Sequence, residues 1–311
     1  MNSEMLLFSI VIPTYNRPDR LKSCLQALSQ LDYPRDRFEV IAVDDGSSIA
    51  LNSVVEPFQS QLQLTLWRQE NAGPAAARNA GAAMAKGQFL VFTDDDCMPA
   101  TNWLTALSDR LATSPQSLIG GQTLNALPDN VCSTASQLLI DYLYEYYNAN
   151  SDRAHFFASN NFAMPTAAFR AIGGFDTTFP LAAGEDREFC DRWLHAGYTM
   201  AYAPEVQIYH AHHLTLKSFW KQHFNYGRGA FCFHQLRAQR GQQRLQVEPL
   251  SFYFNLLTYP FVRSSSYLST WRLAVLLFIS QVANIAGFFW QQKQRPANEF
   301  AATQTKSACA D

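Results

Sequence analysis

A chain of 311 residues, 48% of them hydrophobic, is long enough for one large domain with an appendage or for two small domains around a sizeable core. Twenty-four Lys and Arg against 26 Asp and Glu leave a formal net charge of −2, which gives no global electrostatic reason to expect a nucleic-acid partner. The six cysteines (Cys24, Cys97, Cys132, Cys190, Cys232 and Cys309) form no CxxC pair, which argues against a zinc ribbon or a disulfide framework and for a reducing cytosol.

The N-terminus lacks the basic region and small-residue cleavage site of a signal peptide, so its first apolar run reads as a buried strand. Short apolar runs at residues 8–12, 40–43, 62–67 and 89–92 predict strands. Stretches 19–28 and 75–85 have helical spacing, and Pro74 stands where helix starts prefer it. This alternation predicts an α/β fold with an open, doubly wound, mostly parallel sheet, whose ligands sit beyond the carboxyl ends of the strands.

The residues at those ends are unusually polar. Pro13-Thr14-Tyr15-Asn16-Arg17 follows the first run, Asp44-Asp45-Gly46-Ser47 the second and Thr93-Asp94-Asp95-Asp96 the fourth. Carboxylates converging on one sheet edge repel one another unless a cation neutralises them, and a divalent metal with a phosphate-bearing ligand resolves this. Taken alone, the Asp94–Asp96 run could be a solvated turn and the Asp44-Asp45 pair an Asx turn. Asn71-Ala72-Gly73-Pro74 precedes a helix, where Gly73 lets backbone approach a ligand and the helix start favours an anion. Arg78, one turn inside, either faces that ligand or pairs with a sheet-edge aspartate.

Together with Asn71–Asn79, Gly173-Gly174-Phe175-Asp176 and Gly184-Glu185-Asp186 followed by Arg192, these segments resemble the family 2 glycosyltransferases of the nucleotide-binding A-type fold. The resemblance covers residues 1–215, and its specificity lies in six segments in family order. It implies Pro13, Tyr15, Arg17, Asp44 and Asp45 in the base and ribose pocket. It also implies Asp96 as the ligand of Mn²⁺ or Mg²⁺, Asp94 on the ribose or the metal, and Asp95 as a spacer whose side chain turns away. Such a cation stabilises charge on a departing diphosphate. Asp186 becomes the general base toward an acceptor hydroxyl, with Glu185 helping to place the acceptor, although acidic residues in a first helical turn are also ordinary dipole partners. One base without a second nucleophilic carboxylate implies inversion. Of His210, His212 and His213, the first directly ends an apolar run and is the preferred additional metal ligand, with a solvated-edge histidine as the alternative.

The remaining chain is richer in aromatic residues. Residues 216–244 interleave rings with Lys and Arg, as expected of an interfacial helix or of a domain-docking helix. Residues 273–290 are an apolar run bracketed by Trp271 and Trp290, with Lys293 and Arg295 beyond, read as membrane-embedded or as a buried core helix. Pro260 is expected to break or kink a helix in the apolar stretch 252–262. Tyr142, Tyr144, Tyr146 and Tyr147 fall in the segment expected to set sugar and acceptor, and could stack on sugars, fill the core or face a membrane.

The resulting expectation is a catalytic domain at 1–215, a membrane-associated helical region at 216–295 and a disordered tail at 296–311. By the resemblance, the activity is non-processive transfer from a nucleoside-diphosphate sugar, with UDP expected as the nucleotide, to a glycan or lipid-linked hydroxyl at the cytoplasmic face of a membrane. No Gln-x-x-Arg-Trp segment of the processive members is present. A silent sugar- or lipid-binding module and a sugar nucleotidyltransferase are the competing expectations.

Overall fold

The computed structural model of the protein describes residues 7–179, 183–241, 248–263 and 267–294. The expected tail at 296–311 and Arg295 lie outside the described residues, as does the end of the basic-aromatic stretch past residue 241.

The first half alternates strands and helices as β1 (Phe8–Thr14), α1 (Pro18–Leu28), β2 (Phe38–Asp44), α2 (Asn52–Val55), β3 (Leu64–Arg68), α3 (Pro74–Met84) and β4 (Phe89–Phe92). There follow β5 (Cys97–Pro99), α4 (Trp103–Thr113), β6 (Leu118–Asn125), α5 (Val131–Tyr147), β7 (Phe162–Pro165), α6 (Thr166–Ala171), α7 (Glu185–His195) and β8 (Met200–His210). Three helices close the described chain: α8 (Leu216–Gln239), α9 (Leu250–Arg263) and α10 (Tyr267–Lys293).

The strands form one sheet in the order β3-β2-β1-β4-β7-β6-β8-β5. The β3-β2-β1-β4 half is parallel, whereas β7 runs antiparallel to both β4 and β6, and β5 antiparallel to β8. Because β6 is parallel to β8, two reversals restore the direction. The carboxyl ends of β1, β2, β4, β6 and β8 therefore share one edge. The chain reverses its winding between β1 and β4, the switch point at which open sheets of this kind bind ligands.

Helices cover both faces, which is why the strands read as continuous apolar runs rather than alternating ones. Phe8, Ile10 and Ile12 of β1 pack with Leu21 and Leu25 of α1 and Trp103 and Leu107 of α4. Val11, on the other face, joins Ala77 of α3, Phe169 of α6 and Phe189 and Trp193 of α7.

The C-terminal helices dock on this body through α5. Cys132 and Ala135 pack with Phe219, Leu273 and Leu276, while Leu139 and Tyr142 pack with Phe252, Leu256 and Leu277. Three of the four α5 tyrosines serve this docking. Tyr142 Oη donates to the Phe252 carbonyl at 2.7 Å, Tyr146 and Tyr147 donate to Glu248, and Tyr144 is buried and accepts from the Ala158 amide at 2.9 Å. Of the break or kink expected at Pro260, the break is absent, and α9 runs through it. It lies in the last turn, where the helix ends three residues later and only one ladder hydrogen bond is lost. A capping box between Thr215 and Ser218 starts α8, which then crosses α10 backbone to backbone. A Cβ on Gly227 would lie 1.8 Å from the Asn284 carbonyl oxygen, and one on Gly287 would lie 1.8 Å from that of Phe224.

Among the described residues one helix, Thr270–Lys293, is long and apolar enough to cross a membrane. One side of it is buried at Leu273, Leu277, Ser280 and Ala283. Trp271, Val275, Phe278, Val282, Ile285 and Phe289 are exposed at alternating spacings of four and three, a continuous apolar stripe along the opposite side.

Candidate active site

The shared sheet edge gathers the polar ends of the strands, and each end is held by its neighbours. After β1, Asn16 takes a left-handed φ of 56°, its amide donates to Ser47 Oγ at 2.8 Å and its side-chain oxygen accepts from the Ser48 amide. This fastens the loop after β1 to the loop after β2, with Tyr15 exposed beside the join and Pro13 buried in the strand.

The two aspartates after β2 are both buried but differ in use. Asp44 closes an Asx turn by accepting from the Ser47 amide at 2.8 Å and faces Arg68 at 3.4 Å. Asp45 accepts from Gln69 at 2.7 Å, from Asn71, and from the amides of Ala72 and Gly73 at 3.0 and 2.8 Å. The anion at the start of α3 is thus this carboxylate, and Gly73, at φ +89°, supplies the turn that aims its amide there. Gln69 escaped the sequence reading, since nothing in its local pattern distinguishes it from a solvated loop residue.

The aspartates after β4 diverge. Asp95 turns inward, accepting from Thr14 Oγ1 at 2.8 Å and from Arg17 at 3.2 Å across the switch point. Burial pushes its carboxyl up to about 6 despite the opposing charge of Arg17. Asp96 accepts from Arg20 at 2.6 Å and meets His210 Nε2 at 3.2 Å. Burial alone would raise its carboxyl, but the His210 hydrogen bond, the His210 charge and Arg17 hold it well below the usual range. Arg20 was not singled out from sequence. Its signal is its place in the first turn of α1, three residues after Arg17, and both side chains reach the aspartates after β4.

The strand pairing places His210 here: Cys97 of β5 sits directly opposite His210 in register, and the Ala211 amide donates to the Asp96 carbonyl at 2.8 Å. The His212 ring stacks on that of His210 at 4.9 Å. Burial, followed by the neighbouring His210, lowers His212 to about 4, so it is neutral at pH 7. One ligand atom each from Asp96, Cys97 and His210 lies within 4.8 Å of the others. Burial and then Asp96 push the Cys97 thiol far up, and its sulfur is the soft donor of the three. A carboxylate and an imidazole remain, with Asp94 as the most exposed aspartate of the run, so oxygen and nitrogen atoms are on hand for a divalent cation.

Arg78 joins this group to the next. Its buried guanidinium donates to Asp94 at 2.8 Å and to Glu185 at 3.1 Å and lies over the Phe175 ring. Of the two expectations for Arg78, pairing with a sheet-edge aspartate is the arrangement observed. Glu185 is buried at the start of α7, and burial, then Asp186, push it up to about 7 against the pull of Arg78. Asp186, half-buried beside it, is also raised, chiefly by burial. Asn79 holds the turn after α6 by donating to the Phe175 carbonyl and accepting from the Phe175 amide, and Arg192 donates to the Gly174 carbonyl at 2.6 Å. These bonds fix the Gly-Gly-Phe-Asp turn against α3 and α7.

The sequence profile of Glycosyl transferase family 2 matches residues 9–173, and that of Glycosyl transferase family group 2 matches residues 92–290. The chain is 26% identical over 209 residues to glycosyltransferase AglE of Haloferax volcanii, covering 66% of this chain and 67% of that protein. It is 29% identical over 222 residues to validoxylamine A glucosyltransferase of Streptomyces hygroscopicus subsp. jinggangensis, covering 62% of this chain and 52% of that one. In fold it is similar to mannosyltransferase PcManGT from Pyrobaculum calidifontis, solved with GDP-Man and Mn²⁺, at TM-score 0.60 and 19% identity over 97% of this chain and 80% of that chain. It is also similar to Staphylococcus aureus TarS 1-349 in complex with UDP-GlcNAc, at TM-score 0.52 and 17% identity over 91% and 89% of the two chains.

Proposed function

The chain belongs to glycosyl transferase family 2, and on that footing we propose that it moves a sugar from a nucleoside-diphosphate sugar to a hydroxyl acceptor, inverting the anomeric carbon, one or a few sugars at a time. The observation that carries this reading is the convergence of Asp94, Asp96 and His210 with the Glu185-Asp186 pair at one sheet edge, joined through Arg78.

Asp96 and His210, with Asp94 at the opening, would hold Mn²⁺ or Mg²⁺, which when bound supplies Lewis-acid stabilisation of the departing diphosphate. Arg17 and Arg20 add positive charge on the same side. Tyr15, with the loops after β1 and β2 beside it, would accept the base and ribose, and a UDP-sugar is the expected donor. Asp186 takes the proton of the acceptor hydroxyl as its oxygen bonds to the anomeric carbon. The bond from that carbon to the diphosphate oxygen breaks, and its electron pair leaves with the nucleoside diphosphate. Burial of Asp186 supports this role, because a raised pKa makes a carboxylate a stronger base near neutral pH.

The apolar stripe of α10 supports docking on the cytoplasmic face of a membrane, within reach of a glycan or lipid-linked acceptor. Phe261 of α9 packs on Trp271 at 5.1 Å, so exposed Phe254 and Val262 extend the same surface, and Arg263, Arg272 and Lys293 stand at its ends.

Incubation of the full chain with UDP-, GDP- and dTDP-sugars and Mn²⁺ or Mg²⁺ tests the reading through nucleoside diphosphate release and product mass. One donor class should turn over, and Asp96→Asn should lose metal-dependent turnover. Wild-type turnover by Asp96→Asn across a Mn²⁺ titration would overturn the metal assignment, and synthesis of a nucleotide sugar from sugar phosphate and nucleoside triphosphate would overturn the transferase reading.

A further inference from the structure

Away from the strand-end site, a cavity of about 410 Å³ lies between α5, the middle of β6, the start of β8 and the end of α9. Tyr202 in its wall stands eight residues before His210 on β8, roughly 26 Å back along the strand. The strand-end aspartates, His210 and the Glu185-Asp186 acid pair are not among its lining residues. Its volume falls within the range of sites that hold small organic molecules.

Charge in this cavity is concentrated on one helix. Asp141 and Glu145, one turn apart on α5, both line it, and Arg263 is the cation among the described residues that do. Arg263 and the Tyr259 hydroxyl, the latter at 2.7 Å, both donate to Glu145 Oε1. Asp141 is left without a cation. Its Oδ1 accepts from Gln137 Nε2 at 2.8 Å, an amide that also donates to the Thr123 carbonyl, and its Oδ2 has no hydrogen-bond partner among the described residues. Like charges at this spacing repel, and burial pushes the Asp141 carboxyl up to about 6, as expected of a negative charge that the protein itself does not meet.

Two hydroxyls face the same shortage. Tyr144, 4% exposed, accepts from the Ala158 amide at 2.9 Å and finds no acceptor for its own proton among the described residues, where the Tyr202 hydroxyl also has no hydrogen-bond partner. A buried O–H left in this way costs stability unless a ligand accepts from it. Leu138, Ile140 and Ala149 add apolar wall.

The combination selects the ligand. An anion would face both carboxylates. A divalent ion would answer Asp141 but leave the tyrosine protons and the apolar wall unused. An ammonium donates to Asp141 Oδ2, a hydroxyl oxygen accepts from Tyr144 or Tyr202, and a short carbon skeleton covers Leu138 and Ile140. We propose that the cavity binds an amino alcohol, with Asp141 as the acceptor for its ammonium. Because Tyr259 and Arg263 belong to α9, the occupant touches both α5 and the helix that carries exposed Phe254 and Val262.

Calorimetry on the full chain at fixed ionic strength compares three probes of one skeleton: phenylethanolamine, phenylethylene glycol, which replaces the ammonium by a hydroxyl, and phenethylamine, which lacks the hydroxyl. Phenylethanolamine should bind about tenfold tighter than the glycol and about threefold tighter than phenethylamine. Asp141→Asn keeps the shape and the acceptor for Gln137 while removing the charge, and should lose about tenfold of the phenylethanolamine affinity without changing that of the glycol. Tyr202→Phe should bring phenylethanolamine down to the level of phenethylamine. Urea unfolding of both variants reports an intact fold, and the comparison of probes in the wild type needs no variant. Phenylethanolamine that does not bind, that binds no tighter than the glycol, or that keeps its affinity in Asp141→Asn overturns the proposal. Ca²⁺ binding tighter than the amine, and lost in Asp141→Asn, would make the cavity an ion site and overturn it as well.

Discussion

Glu185→Gln should make the protein more stable, and increasingly so as pH rises. Glu185 is 3% exposed, and its carboxyl is pushed from an ordinary 4.5 up to about 7, chiefly by burial and then by Asp186. An acid whose folded pKa lies above its unfolded value contributes stability that is complete below the unfolded pKa and is lost as pH rises through the folded one. The window here runs from 4.5 to about 7, and at about 1.4 kcal/mol per unit the loss is about 3 kcal/mol by pH 8. At pH 5 the folded wild type carries a neutral Glu185, and glutamine, nearly isosteric and still able to accept from Arg78, changes little. Above pH 7 the wild type alone bears the buried charge. Removing it also relieves Asp186, which acts in the same direction. The stability difference between variant and wild type should therefore grow by about 2.5 kcal/mol between pH 5, where about 0.6 unit of the shift is already lost, and pH 8, read by urea unfolding of both proteins across that range. A difference that stays flat, or that narrows with pH, would refute the claim that Glu185 is ionised at a cost in the native site.

The remaining predictions concern the C-terminal helices. Gly287→Leu should destabilise by about 1–3 kcal/mol or more in urea, because the new side chain begins 1.8 Å from the Phe224 carbonyl oxygen and must part α8 from α10; Val282→Leu, on the exposed stripe, should stay within about 0.5 kcal/mol. Full-length protein on anionic vesicles should resist a wash at high salt, where exposed charges more than about 3 Å apart are screened, and the double substitution Phe278→Asp with Ile285→Asp should release it. Release of the wild type by salt alone would show that the stripe does not enter the bilayer.

The edge-on logic of the sheet was legible because β1, β2 and β4 are buried on both faces and give way abruptly to polar residues, so apolar runs located both the strands and their functional ends. The second half of the sheet was not: β5 has three residues, and β6 breaks its apolar character with Gly120, Gly121, Gln122 and Thr123, so no continuous apolar run marks it. Partners separated by long stretches of chain were equally invisible. Arg78 meets Glu185 across 107 positions, and sequence alone left its pairing open between a ligand and a sheet-edge acid. The tyrosines of α5 had three open readings for the same reason: Tyr142, Tyr146 and Tyr147 are decided by Phe252 of α9 and by Glu248 just before it, and Tyr144 by the Ala158 amide. The polar turn of α8, with Gln222, His223 and Tyr226, was hidden inside an aromatic, basic stretch whose composition describes its outer face.

Charge is divided unevenly across the strand-end site. On the α1 side stand Arg17, Arg20, His210 and the aspartates, a set whose strong fields suit a diphosphate and a divalent ion. On the α8 side Gln222, Tyr226 and His223, whose ring burial keeps neutral, carry no charge. Arg78, Glu185 and Asp186 lie between the two. The helix that builds the neutral side is itself clamped, with Gly229 on the loop before α7 and Gly227 on α10 two residues away. Contacts this close between backbones leave no soft side chain to absorb a shift. A displacement of α10 is therefore passed to α8 at Gly227, while Gly229 ties α8 to the loop before the acid pair.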